Sequence, residues 1–385
     1  MAFANNLLFV NGSRYYWFSP FYLSLDGTVL HKYVLLLKPN TNIPFFEEMK
    51  RLCRYEFQIM CDTLSLDIEI ESLQMIGQGC YLHFSSCQSI APFLQWFVRL
   101  SFYYTLFERT DASWRPIDVA SSQVFPDDLS NRLKYSGKTN EVFTRFMINV
   151  SICSYFKRLL ANHSVAQKNE FLLSSPRLSI LDPLSGKGTT LFEALMFGHH
   201  AYGVEQEKSF VGDCVQFFER YLKEGKYKHQ LTKGRFTVNR QNLGDMIAIS
   251  LGATKQQIKA KTGQQFRLHR GDTLQTDRFF KKDFIDLIVS DLPYGVQHFN
   301  KSSTGQFRKP SQSSFLQNAL RCWLKVLRSD GLVALSWNTH TLPRKSLLEV
   351  LEQHGLKAFD EPHYENFAHR VSQAIRRDFI VAYRK

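Results

Sequence analysis

The sequence has no run of about 18 uncharged apolar residues of the kind that spans a bilayer. Its most apolar stretch, Ala91 to Phe107, is interrupted by Arg99 and is too short. The opening Met1 to Val10 lacks both a basic segment and a small-residue cleavage site, so no secretory leader is expected. Cysteines spaced as CxxC are missing too. The seven present (Cys53, Cys61, Cys80, Cys87, Cys153, Cys214 and Cys322) suit neither a zinc ribbon nor a disulfide framework, and most are expected as buried thiols. No repeat of solenoid period occurs. These absences lead to the expectation of a soluble cytoplasmic protein with no membrane association and no metal site.

With 385 residues the chain exceeds one ordinary domain and leaves room for two. Hydrophobic residues at 44% and charged residues at 22% suffice for packed cores, which excludes wholesale disorder and collagen-like or coiled-coil architectures. The net charge of +13 is unevenly spread. Residues 1–135 hold 11 Lys and Arg against 13 Asp and Glu, whereas the remainder holds 37 against 22. That asymmetry points to a polyanionic partner for the C-terminal part. Lysines that merely aid solubility are the plainer alternative.

Residues 1–130 are crowded with aromatics, among them Tyr15, Trp17, Phe45, Trp96 and Tyr103. A strand over Val29 to Leu37 and helical patterns around Phe45 to Met60 and Ile90 to Phe107 predict a small α+β domain. Few basic residues interleave with these rings, so they read as core rather than as platforms for stacked bases. The polar, proline-bearing stretch Ser113 to Ser136 reads as a linker, with the domain boundary near residue 130.

From residue 131 to 385 strand and helix patterns alternate. A helix is expected to open near Thr139. Apolar runs at Leu178 to Leu181, Ala201 to Val204, Phe266 to Leu268, Phe284 to Val289 and Leu332 to Ser336 read as buried strands. Helical stretches at Thr189 to Phe197, Lys208 to Leu222 and Ser313 to Leu327 lie between them. This alternation predicts a Rossmann-like α/β domain whose mostly parallel sheet is covered on both faces and whose ligands bind beyond the carboxyl ends of the strands.

Four motifs fall at those ends. The first strand runs into Asp182-Pro183-Leu184-Ser185-Gly186-Lys187-Gly188-Thr189-Thr190 and then a helix. Gly186 and Gly188 permit a tight turn and close approach of backbone to a ligand, and a helix N-terminus favours an anion. A Walker A loop is excluded, because Leu181 stands at the first glycine position and Gly188 follows Lys187. The second strand ends at Glu205, where a carboxylate can accept both hydroxyls of a ribose or be an ordinary surface glutamate. The third leads to Asp272, which suits an adenine amino group and equally a plain turn. The fourth runs into Asp291-Leu292-Pro293-Tyr294-Gly295, the most specific stretch in the chain.

Taken in order, Asp-Pro-Leu-Ser-Gly-Lys-Gly-Thr-Thr, Gly-Val-Glu, Gly-Asp and Asp-Leu-Pro-Tyr-Gly resemble the motif set of amino-methyltransferases that depend on S-adenosyl-L-methionine (SAM). Within that class the chain looks like the RNA methylases related to the THUMP-associated tRNA guanosine N2-methyltransferases. Tyr135 to Glu141 and His369-Arg370-Val371 fit the same resemblance, which covers residues 135–385. It implies a class I methyltransferase domain with a seven-stranded sheet, SAM as cofactor, and RNA, foremost tRNA, as partner. Cofactor contacts are implied for Asp182, Pro183, Ser185, Gly186, Gly188, Thr189, Glu205, Gln206, Asp272, Thr273 and Asp291. Catalysis is implied for Asp291, Leu292, Pro293 and Tyr294. The Asp291 carboxylate and the Leu292 carbonyl would accept the two N–H bonds of an exocyclic amine, and Tyr294 would stack on a flipped base. Leu292 stands where the commonest form of the motif has proline. The N-terminal domain is placed where a THUMP-like RNA-docking module would be.

The polar run Asn300 to Ser314, with Lys301, Arg308 and Lys309, is expected to be a mobile loop that closes over substrate, and His298 to pack or orient rather than act as a base. Tyr221 to Arg270 carries 11 Lys and Arg against two acids. It reads as an insertion that either contacts phosphates or presents a solvated helical face. Two other functions share parts of the pattern. One is a DNA adenine or cytosine amino-methyltransferase, which the polymer accepting a labelled methyl group would distinguish. The other is a non-catalytic RNA-binding protein with a vestigial cofactor pocket, which failure to bind SAM would reveal.

Overall fold

The computed structural model describes residues 7–10, 13–16, 22–23, 29–120, 123–135, 137–174, 176–238, 240–293 and 311–385. In the N-terminal part, β1 (Leu7–Val10) pairs with β2 (Ser13–Tyr16), and β3 (Tyr22–Leu23) pairs with β4 (Val29–Leu37). An antiparallel sheet follows the order β5 (Ile68–Ile76), β6 (Gly79–Ser86), β4, β7 (Tyr103–Arg109), β8 (Trp114–Pro116). Helix α1 (Ile43–Leu64) starts at Asn42, whose side chain accepts the Phe45 N–H, and ends at Ser65 in the left-handed region. Phe46, Met49, Leu52, Cys53, Phe57, Met60 and Leu64 recur every three or four residues along it and are buried.

The helix expected over Ile90 to Phe107 gives way to a short turn containing α2 (Leu94–Phe97) and then to strand β7. The reason is pairing. Leu106 lies opposite Leu35 of β4 and Phe107 opposite Val34, so aromatic residues that pack well on a pleated sheet outweigh a loose helical spacing. The stretch read as a linker carries β8 and α3 (Asp128–Asn131).

The C-terminal part alternates as α4 (Glu141–Leu159), α5 (Val165–Ser174), β9 (Ser179–Asp182), α6 (Thr189–Met196), β10 (His200–Glu205), α7 (Lys208–Glu224), β11 (His229–Val238), β12 (Gln241–Leu251), α8 (Lys255–Ala260), β13 (Gln264–Arg270), α9 (Thr276–Phe279), β14 (Ile285–Asp291), α10 (Gln312–Val326), β15 (Leu327–Asn338), α11 (Arg344–Gln353), β16 (Leu356–Ala358), β17 (His369–Arg370) and β18 (Arg376–Arg384). Its sheet runs in the order β11-β12-β13-β10-β9-β14-β15-β18-β16, with β17 paired to β18. Strands β13, β10, β9, β14 and β15 are parallel, and β18 is antiparallel to β15. Strand order reverses between β9 and β14, which places a crevice beyond their carboxyl ends. No helix among the described residues is long and apolar enough to cross a membrane.

The insertion after α7 is built mainly of strand, with only the short α8 as helix. Residues 229–251 form an antiparallel ribbon, β11–β12, that extends the sheet beyond β13. Ile247 and Ile249 bury one side of β12 against the core while the intervening positions stay more open, a period of two that a helix cannot satisfy.

Alternation along the central strands divides the interior into two cores. Leu287, Val289, Leu332, Ala334, Phe379 and Val381 face one side; Ile288, Val333, Leu335, Ile380 and Ala382 face the other, under α10 and α11. The first of these cores continues without a break into the N-terminal domain, because α4 packs on the sheet and α1 packs on α4.

Charged groups lie in that shared layer. Asp127 accepts hydrogen bonds from Lys38 at 2.6 Å and Arg145 at 2.9 Å, and Arg145 also donates to the fully buried Glu193 at 2.9 Å. Glu56 of α1 accepts the Ser101 N–H at 3.0 Å, the Ser101 hydroxyl at 2.5 Å and the Asn149 amide of α4 at 2.7 Å. Burial pushes the Glu56 carboxyl up from 4.5 to about 7, with the Ser101 and Asn149 hydrogen bonds opposing the shift. The folded protein therefore keeps a proton that the unfolded chain loses between pH 4.5 and about 7. Glu56 contributes stability that falls as pH rises through that window, on the order of 3 kcal/mol in total. Urea denaturation of wild type and Glu56→Gln from pH 4.5 to 7.5 checks this. The stability difference should shift by that amount in favour of the variant as pH rises, and parallel curves would contradict it.

Candidate active site

The turn after β9 is tied to its neighbours by its own side chains and amides. Asp182 Oδ1 accepts the Leu184 N–H at 3.0 Å and the Ser290 hydroxyl of β14 at 2.8 Å, linking the ends of the two strands at the switch point. Asp182 is 3% exposed, and burial pushes its carboxyl up to about 6 against the hydrogen bonds from Thr190, Ser290 and Leu184. Ser185 is buried and donates through its N–H and hydroxyl to the Val204 carbonyl. Pro183 is buried as well. Thr189 begins α6, and its hydroxyl meets the Tyr135 hydroxyl at 3.1 Å. Lys187 turns away to pair with Asp213 at 2.6 Å, with its ammonium about 5 Å from the Tyr135 and Phe210 rings.

Glu205 closes the turn from the β10 side. Its Oε2 accepts the Gly186 N–H at 2.8 Å and its Oε1 the Glu207 N–H at 2.7 Å. Burial raises its carboxyl above the ordinary range, opposed by those two amides and the Gln206 N–H. Gln206 itself is exposed. Beyond β13, Asp272 Oδ1 accepts the Leu274 N–H at 2.9 Å, whereas the Thr273 hydroxyl is taken by the Trp323 indole N–H at 3.0 Å.

Asp291 ends β14 facing the segment that precedes α4. The Thr139 hydroxyl donates to Asp291 Oδ2 at 2.5 Å, and the Arg377 guanidinium of β18 lies 3.6 Å from the same oxygen. Arg377 is 5% exposed and stacks over the Phe143 ring at 4.8 Å. Asn140, not Thr139, caps α4, accepting the Val142 N–H at 2.8 Å, which leaves Thr139 to serve Asp291. Leu292 is 1% exposed, and its N–H donates to the Ser336 carbonyl at 2.7 Å. The Pro293 carbonyl accepts from Gln312 of α10 at 3.1 Å, and Gln312 accepts in turn from the Thr341 hydroxyl at 2.6 Å. Tyr294, Gly295, His298 and the run up to Pro310 lie outside the described residues; Gln312 to Ser314 belong to α10.

Residues 174–337, a stretch shorter than half of the chain, match the family model described as RMKL-like, methyltransferase domain. This stretch carries the sequence pattern of a methyltransferase domain. No curated protein matches the chain. Among solved structures it is similar to a TehB-like SAM-dependent methyltransferase from Corynebacterium glutamicum, at 14% identity and a TM-score of 0.31, covering 64% of this chain and 100% of that one. It is also similar to magnesium protoporphyrin IX methyltransferase from Synechocystis PCC 6803, at 13% identity and a TM-score of 0.33, covering 67% and 90%. A third is an rRNA methylase from Streptococcus thermophilus, at 12% identity and a TM-score of 0.30, covering 54% and 87%.

The turn after β9 leaves open space beside Glu205. Gly186 has φ +52, and a Cβ built there would meet no heavy atom within 4 Å, so its backbone opens onto the crevice beside the Glu205 carboxylate. Gly188 is instead packed tight, since a Cβ there would lie 2.7 Å from the Cys214 sulfur. The motif residues are thus gathered at one end of the sheet. Sequence reasoning passed over Ser290 and Arg377. The first is an ordinary strand residue by pattern. The second begins a strand as one of a pair of arginines, and only burial separates it from Arg376.

Replacing Glu205 with Ala is expected to weaken SAM binding at least about tenfold in calorimetry, because two hydrogen bonds to a charged acceptor are each worth roughly 1.5 to 3 kcal/mol. Thr139→Val should lower kcat about tenfold or more with SAM affinity unchanged, while Thr139→Ser retains most activity. Equal turnover of the Val and Ser variants would show that the hydroxyl does not position Asp291.

Proposed function

We propose that the chain transfers the methyl group of SAM to an exocyclic amine of an RNA base, specifically the 2-amino group of guanosine in tRNA. The observation that carries this reading is the end of β14, where Asp291 is gripped by Thr139 and Arg377 at the switch point next to Asp182. The Asp-Leu-Pro-Tyr-Gly motif and the +13 net charge support a nucleic-acid substrate with an amine acceptor.

The amine of a nucleobase is a weak nucleophile because its lone pair is delocalised into the ring. An acceptor on each of its two N–H bonds favours a pyramidal nitrogen with the lone pair directed outward. Asp291 and the Leu292 carbonyl take those places. The hydrogen bond from the Leu292 N–H to Ser336 and the one from Gln312 to the Pro293 carbonyl fix the peptide planes on either side. The buried Leu292 side chain anchors in the core under α10, so the residue needs only its main chain for chemistry. When bound, SAM supplies an electrophilic methyl on a sulfonium. The N–C bond forms as the C–S bond breaks, and the nitrogen passes a proton to water.

Asp291→Ala should cut methyl transfer to tRNA transcripts by about 100-fold or more while leaving SAM affinity within a few-fold of wild type. Labelled SAM and nucleoside mass spectrometry check both product and rate. Turnover that survives the substitution, or label found in DNA and not in RNA, would overturn the assignment.

A further inference from the structure

We propose that the cleft between α1 and the β17–β18 hairpin holds the phosphodiester backbone of the substrate RNA beside the target nucleotide, through Arg370 and Arg376. The inference rests on the RNA reading above and adds the surface that would receive the strand.

The cleft measures about 360 Å³ and is walled by Glu48 of α1, His340 after β15, and Arg370, Ser372 and Arg376 of the hairpin. Within the hairpin, His369 pairs with Arg377 and Arg370 with Arg376. Successive strand residues point to opposite faces, so the two pairs have opposite environments. His369 and Arg377 are 3% and 5% exposed and turn inward, where Arg377 reaches Asp291. Arg370 and Arg376 are exposed and turn outward into the cleft.

Two arginines directly opposite each other across a strand pair repel, and such a pair is destabilising on its own. Among the described residues neither guanidinium has a carboxylate within ion-pair distance. The nearest acid along the cleft, Glu48, is engaged by Arg51 at 3.3 Å, and its other oxygen faces the Arg370 N–H at 3.5 Å. The backbone that carries the pair is nonetheless held firmly. Arg376 donates its N–H to Asn338 Oδ1 at 3.2 Å and accepts the Thr339 N–H at 2.8 Å, and Asn338 also donates to the Ala374 carbonyl at 3.1 Å. Uncompensated like charge on a pre-organised backbone is what an anion site requires.

Position selects the anion. Asn338 ends β15 two residues after Ser336, which is the partner of Asp291 across the sheet. Asn338, which holds the Arg376 N–H at the edge of the cleft, therefore lies roughly 7 Å along the strand from the residue paired with Asp291. A phosphate there would belong to the same strand as the base presented to Asp291.

The test measures binding of a fluorescein-labelled tRNA transcript to the full chain with S-adenosylhomocysteine present, by anisotropy between 50 and 200 mM salt. Losing two phosphate contacts in R370A/R376A should lower the slope of log Kd against log salt by about 1.4 to 1.8. RNA affinity at 0.1 M salt should fall several-fold or more, with SAM affinity kept and the Tm no lower than wild type. R370K/R376K, which keeps the charge, should keep most of the slope. An unchanged slope in R370A/R376A with SAM binding intact overturns the cleft alone. Loss of the same slope toward a DNA duplex of equal length overturns its assignment to the RNA substrate. A wild-type chain that neither binds nor methylates RNA overturns the functional reading, and this inference with it.

Discussion

A carboxylate at the end of a strand buried on both faces needs donors, and the way Asp291 obtains them organises the rest of the methyltransferase domain. One comes from the segment before the first large helix of the domain, another from its final strand, and Ser290 beside it fastens Asp182 on the neighbouring strand. Four stretches that are distant in sequence therefore converge on two adjacent strand ends. The sheet order makes this affordable. Where the strand order reverses, the connections leave toward opposite sides, and side chains from both halves can meet.

The N-terminal domain is bound to this arrangement through its own interior. Helix α4 has one face on the catalytic sheet and another on α1, so fourteen of its residues are buried and its Asn149 reaches Glu56 of the other domain. Arg51 of α1 also donates to the carbonyls of Asn366 and Ala368, just ahead of β17. The helix that packs the N-terminal sheet thereby steadies the hairpin that carries Arg377. The position of the first domain bears on the second through packing and hydrogen bonds, without any loop that has to carry the message.

Much of this is legible in the sequence. The parallel strands read as short apolar runs because both their faces are covered, and the residues at their ends stood out because glycines and acids interrupted those runs. The N-terminal strand β4 matches the run Val29 to Leu37 at both ends. Two segments misled. Ile90 to Phe107 has enough apolar residues to imitate a helix, but its second half is claimed by β4, and such long-range pairing leaves no local trace. Tyr221 to Arg270 stands out as an insertion by its length and charge, and neither distinguishes a ribbon from a helix. Arg377 was missed for a related reason: a basic residue at the start of a strand looks exposed until the partner that buries it is known.

Because Arg377 belongs to β18, which follows every strand of the parallel sheet, the pocket cannot be finished until that strand has been made. A ribosome delivers β9, β10, β13 and β14 well before β18, so the nascent domain holds an Asp291 whose cationic neighbour has yet to emerge. Vectorial synthesis thus withholds the completed pocket until β18 has left the ribosome, long after the cofactor-side turns have been laid down.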